Sequence, residues 1–152
     1  MSVVNILNIS ILNNPAPFLA PFQIEITFEC IGQLQQDLEF NLYFVGHSTN
    51  KEWDQELDSL LVGPVPVGVN KFVMETKGPD TNKLNPDDVL DYTAIYLKCQ
   101  YRDREFLRCS YLIKAEYNVQ ELQINPPQNI AYEHLVRLVS DKPKVTRFPI
   151  PW

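Results

Sequence analysis

PAPFLAPFQIEITFEC, Pro15–Cys30, alternates strictly with a period of two over its second half. Phe22, Ile24, Ile26, Phe28 and Cys30 fall on one face; Gln23, Glu25, Thr27 and Glu29 fall on the other. Successive side chains of a strand point to opposite faces, so this segment predicts a β-strand with one dry and one wet side. A second stretch, LDSLLVGPVPVG from Leu57 to Gly68, fixes what its own strand must do. Pro64 and Pro66 interrupt an apolar run that would otherwise continue. Proline cannot donate to a β-ladder, so the strand ends there and the chain turns between sheets.

Outward from these stretches the chain reads as strands separated by turn signals. Strand patterns cover Val4–Leu12, Phe22–Cys30, Leu38–Val45, Gln55–Val62, Gly68–Thr76, Tyr92–Tyr101, Glu105–Tyr117 and Val145–Ile150. Asn13-Asn14-Pro15, residues 46–50, Lys77–Asp80 and Arg102-Asp103 supply the breaks. The spacing predicts an all-β fold, an immunoglobulin-like β-sandwich with short helices in its connecting loops. Helical signals are brief. Asn85-Pro86-Asp87-Asp88 has the composition of a helix start, supporting a turn or two over Asp87–Leu90. Leu135, Leu138 and Val139 suggest a second short helix within Tyr132–Ser140.

A chain of 152 residues with 45% hydrophobic and 21% charged residues is expected to be one domain, residues 1–152, with a self-sufficient core. The leading MSVVNILNISIL has no basic start and is broken by Asn5, Asn8 and Ser10, so it reads as a first strand rather than a signal peptide. No run approaches the roughly 18 apolar residues of a membrane span, and the expectation is a soluble, non-secreted monomer. The net charge of −6, without a basic stripe, argues against direct nucleic-acid binding. It suits a basic partner or simply solubility. Cys30, Cys99 and Cys109 are odd in number and have no short spacing, so buried thiols are expected. A bridge from Cys30 to Cys99 or Cys109 is the alternative.

The informative anomaly lies on the wet faces. In Tyr92–Tyr101 the core row is Ile95, Leu97, Cys99 and Tyr101, yet the opposite row opens with Tyr92, Ala94 and Tyr96. In Glu105–Tyr117 the core row is Leu107, Cys109, Tyr111 and Ile113, and the other carries Arg108, Ser110, Leu112 and Lys114. Leu38–Val45 ends with Tyr43 and Val45 on the row that begins with Glu39. In one sheet, Val45, Tyr92, Ala94, Tyr96 and Leu112 would form an exposed apolar patch edged by Asp54, Asp88 and Arg108. A loop or the C-terminal segment covering these residues is the competing reading.

Pro15–Cys30, Leu57–Gly68 and the late KVTRF, Lys144–Phe148, resemble in order and spacing the core of the anti-silencing-function family of histone chaperones, over about Ile9 to Trp152. The resemblance implies a nuclear, partly cytoplasmic protein that needs no cofactor. Its concave sheet face would bind the histone H3–H4 heterodimer through Val45, Asp54, Asp88, Tyr92, Ala94, Tyr96, Arg108, Tyr111 and Leu112. It also implies that SDKPKVTRFPI offers a strand edge to the histone H4 tail, with Pro143 and Val145 lining a pocket. Asp37, Glu39, Asp58 and Leu61 would receive basic hairpins of chromatin-assembly co-chaperones. The chain departs from the family pattern at four kinds of position. Ala94 stands for the usual valine, Tyr92 and Tyr96 for common aliphatics, Leu112 for the second tyrosine of a pair, and Gln36 for an acid. Tyr111 also falls on the row assigned to the core.

Chemistry is sparse elsewhere. His47 and His134 lack companions at metal-ligand spacing, so no metal site is expected. Five glycines make no phosphate loop, and no Gly-x-Ser-x-Gly elbow occurs. Asp87-Asp88 is explained by the helix start. The expected function is a non-enzymatic histone chaperone for nucleosome assembly and disassembly. The alternative is a prenyl or acyl lipid carrier on the same sandwich, which would need an open cavity between the sheets and fits poorly with a bulky Phe22–Phe28 row.

Overall fold

The computed structural model describes residues 2–46, 54–84 and 86–152. The strands are β1 (Val4–Ile11), β2 (Ala16–Pro17), β3 (Gln23–Cys30), β4 (Leu38–Val45), β5 (Asp54–Val62), β6 (Gly68–Glu75), β7 (Tyr92–Tyr101), β8 (Arg104–Tyr117), β9 (Leu135–Val139) and β10 (Lys144–Arg147). Two short helices, α1 (Pro86–Val89) and α2 (Gln120–Ile124), lie in connections. β1, β3 and β6 make one antiparallel sheet. The second runs β2-β9-β8-β7-β4-β5, with β10 also on β8. The Pro64 and Pro66 segment carries the chain from β5 in the larger sheet to β6 in the smaller one. The all-β sandwich expected from the alternation is the observed architecture.

The alternation explains the core. Phe22, Ile24, Ile26, Phe28 and Cys30 are all buried against Phe40, Phe44, Ile95, Leu97 and Cys99 of the facing sheet. Interlocked rings hold the two sheets together: Phe28, Phe40 and Phe72 pack with centroids 5.0–6.2 Å apart. Cys30, Cys99 and Cys109 are buried free thiols. Arg102 and Asp103, at φ of 53° and 62°, form the two-residue turn between β7 and β8. Their left-handed backbone matches the twist of a tight hairpin.

The expected helix over Tyr132–Ser140 is corrected. Only a 3₁₀ turn, Tyr132–His134, precedes the strand β9. Leu135, Arg137 and Val139 are its buried row, a period of two hidden by an arginine in a core position. Arg137 is 0% exposed, with its guanidinium 3.6 Å from the Phe22 ring centroid. Its Nη1 donates to the Phe18 and Ala20 carbonyls and its Nη2 to Pro21 O at 2.8 Å. These bonds tie the loop after β2 to β9. The last strand is also shorter than Val145–Ile150, closing at Arg147 before Pro149. β2, α2 and a 3₁₀ turn at Thr81–Lys83 were not anticipated. The break expected after Gly46, His47, and the Asn85 helix start lie outside the described residues.

Candidate protein-binding surface

Strand register assembles the outer face of the larger sheet. Asp54 faces Val45, Val45 faces Ala94, and Ala94 faces Leu112 across β5, β4, β7 and β8. One pleat along, Glu56, Tyr43, Tyr96 and Ser110 form a parallel row. Leu112 is 59% exposed and Tyr92 is 56% exposed, while Val45, Ala94 and Tyr96 are half-buried. No described loop closes over Tyr92 or Leu112. Leu112 sits where the flank of β8 passes from β10, paired to residues 107–110, to β9, paired to 113–117. Asp88 lies in α1, which leads directly into β7.

Tyr43 and Glu56 were missing from the candidate residues, although Tyr43 stood on an exposed row. Its ring stacks on Tyr96 with centroids 4.9 Å apart and planes 17° from parallel. Its hydroxyl donates to Glu56 Oε2 at 2.8 Å. Arg108 lies over Tyr96 at 4.5 Å and donates from Nε and Nη2 to the Glu105 carboxylate, at 2.7 and 3.1 Å. Burial and the bond to Glu56 push the Tyr43 phenol up to about 12. Burial also raises Tyr96, and the Glu105 carboxylate raises Arg108, so both phenols stay neutral and the arginine stays charged.

Tyr111 does not join this face. It is 6% exposed, on the inner side of β8, and donates from its hydroxyl to Ile9 O at 3.3 Å. Strict alternation from Leu112 puts it there. It instead lines a groove of about 440 Å³ between β1 and β10, together with Ile9, Pro143, Val145 and Arg147. Burial raises its phenol strongly. The groove gathers Tyr111, Pro143 and Val145 from the eleven histone-binding candidates and separates them from the other eight.

A separate hollow, about 410 Å³, lies at the far end of β4 and is lined by Gln36, Asp37, Glu39, Leu61 and Arg102. Leu61 is 63% exposed and faces Glu39 in register. Asp37 packs so closely on Gly63 that a Cβ there would lie 1.8 Å from its Oδ1, so any larger residue at 63 would push the Asp37 carboxylate aside. Asp58 does not line this hollow. A register shift between Leu42 and Tyr43 leaves Leu57 as an extra β5 residue and turns Asp58 onto the row opposite Leu42. Among the described residues, no cluster of three His, Cys, Asp or Glu side chains could hold a metal ion. No described helix is long and apolar enough to cross a membrane.

The family model described as ASF1 like histone chaperone matches residues 1–152. Curated histone chaperones with that name are similar over the whole chain. The protein of Yarrowia lipolytica is 52% identical over 100% of this chain and 58% of its own length. That of Aspergillus oryzae is 52% identical over 100% of this chain and 54% of its own. That of Saccharomyces cerevisiae is 48% identical, covering 100% and 55% respectively. The chain thus spans about half the length of the curated relatives it matches.

Proposed function

This chain belongs to the ASF1-like histone chaperone family, and from that premise we propose that it binds the histone H3–H4 heterodimer and hands it over for nucleosome assembly and disassembly. The observation that carries the proposal is the apolar row Val45–Ala94–Leu112, open at Leu112 and bordered by Tyr92, Tyr96, Asp54 and Arg108 on an outer sheet face. An apolar centre inside a charged rim is the anatomy of a protein interface. Burial of the row supplies affinity, and the chain's net charge of −6 draws in basic histones and speeds encounter.

Two further surfaces complete the reading. The groove beside β10, with Tyr111, Pro143 and Val145, receives an extended histone H4 segment as an added strand. The hollow at Asp37, Glu39 and Leu61 takes basic hairpins of co-chaperones, with Asp58 contributing from the adjoining edge of β5. The 152 residues act as one domain, in the nucleus, without catalysis of their own. The lipid-carrier alternative finds no support in the interior. Phe18, Phe22, Phe28, Phe40 and Phe44 fill the space between the sheets, all at 0–1% exposure.

The test is a pull-down with purified H3–H4 at moderate and high salt, with Ala94→Arg as the control. The wild type should retain the histones at moderate salt. The variant should lose them while melting normally, because an arginine forced into a dry interface costs several kcal/mol when unpaired. Unchanged affinity in a well-folded Ala94→Arg would remove this face from the interface.

A further inference from the structure

Arg108 belongs to the charged rim, yet it is held in a way that rim residues ordinarily are not. Tyr43 faces Tyr96 across β4 and β7, and Tyr96 faces Ser110 across β7 and β8. Ser110 is small, so the space beside the Tyr96 ring on the β8 side is open to its same-face neighbour, Arg108. The guanidinium takes that space, 4.5 Å from the ring centroid, while Tyr43 occupies the β4 side at 4.9 Å. Both ends of the row are pinned: Glu105 accepts from Nε and Nη2 of Arg108, and Glu56 accepts from the Tyr43 hydroxyl. Each member leans on the next, across four strands.

We infer that Tyr43 and Tyr96 are positioning residues for Arg108, fixing its guanidinium before a partner arrives. Arginine has many rotamers, and a partner that must order one gives up part of the affinity the contact supplies. Here the ordering is done within the free protein. Glu105 takes two of the three guanidinium nitrogens, so Nη1 is the edge presented to an incoming histone carboxylate. Tyr43 never needs to touch the partner. Its part is to hold Tyr96 upright, so that the cation has a flat face to rest on. The inference rests on the proposed histone-binding reading of this face.

The experiment measures H3–H4 affinity by calorimetry for the wild type, Tyr43→Ala, Tyr43→Phe, Arg108→Ala and the Tyr43→Ala/Arg108→Ala double variant. Thermal melts confirm that each is folded. Tyr43→Ala should weaken binding about three- to tenfold. Tyr43→Phe, which keeps the stack, should stay within about twofold. In the Arg108→Ala background, Tyr43→Ala should add no further loss. Equal losses in both backgrounds, or full affinity in Tyr43→Ala, would overturn the inference. A second readout needs no histone: the Arg108 Nε order parameter, from NMR relaxation of the free protein, should fall in Tyr43→Ala and hold in Tyr43→Phe. An unchanged order parameter overturns the inference as well. A wild type that ignores histones would defeat the binding reading, and this NMR measurement would then decide the positioning role alone.

Discussion

Two arginines of the larger sheet each rest on an aromatic ring, on opposite faces of that sheet. Inside, Arg137 covers Phe22 at 3.6 Å and is wholly buried. Outside, Arg108 covers Tyr96 at 4.5 Å with 39% of its side chain exposed. Their polar partners differ in kind. Arg137 donates to the carbonyls of Phe18, Ala20 and Pro21, and burial lowers its guanidinium to about 10. Arg108 donates to a carboxylate, and its guanidinium is raised. The inner charge is tolerated because it ties down a loop; the outer charge is stabilised and left partly open to solvent. The same side chain is a strut in one place and a positioned surface cation in the other.

The largest predicted effect tests that division. Arg137→Ala leaves the Phe18 and Ala20 carbonyls without their side-chain donor, leaves Pro21 O only Asn13, and opens a cavity over Phe22, so stability to urea should fall by about 3–5 kcal/mol. Arg108→Ala removes an exposed ion pair and should change stability by at most about 1 kcal/mol. Histone affinity should respond to Arg108→Ala without any matching change in the melt. Equal destabilisation by the two substitutions would erase the contrast between strut and rim.

The sequence disclosed whichever features follow from period-two alternation within a single strand. The buried rows of β3, β7 and β8 and the exposed row of Tyr92, Ala94 and Tyr96 are of this kind. It concealed what depends on an exception or on register. Arg137, polar in a core row, disguised β9 as a helix. The extra residue at Leu57 reversed the facing of Asp58. Alternation placed Tyr111 on the inner row, and the structure puts it there, lining the groove between β1 and β10 and off the outer face where the resemblance had set it. The Tyr43–Tyr96–Arg108 row needs three strands in alignment, and no pattern within one strand can reveal a diagonal across two others.

A middle-sized effect should come from the edge strand β10, which pairs with β8 alongside Arg108. Phe148 N donates to Phe106 O at 3.0 Å. Antiparallel ladders alternate, so in the β10 register the Lys144 and Thr146 amides also turn toward β8, while those of Val145 and Arg147 turn away. Val145→Pro therefore deletes an outward donor without cutting the β8 ladder. H3–H4 binding should weaken by about 1–3 kcal/mol while the outer face still holds the histones. Hydrogen exchange should show Val145 and Arg147 gaining protection in the complex, with Thr146 protected throughout. Full affinity in the proline variant, with no change in exchange, would leave β10 as an ordinary structural edge.

The smallest effect is expected at Asp37, and its smallness is the point. Asp37 precedes β4, whereas Val45 ends it, eight residues further on. At about 3.3 Å per residue the two are on the order of 25 Å apart. Charges on the surface are screened over about 8 Å at physiological ionic strength, so a reversal at Asp37 is scarcely felt at Ala94. Asp37→Arg should accordingly move H3–H4 affinity by less than about 0.5 kcal/mol. The same substitution puts a cation into the hollow with Glu39 and Leu61, next to Arg102, and should repel a basic hairpin peptide. Peptide binding should therefore weaken at low salt and recover in part as salt rises, while histone binding stays level in parallel titrations. A tenfold loss of histone affinity in Asp37→Arg would mean that the two surfaces are continuous, and that the rim around Arg108 extends the full length of β4.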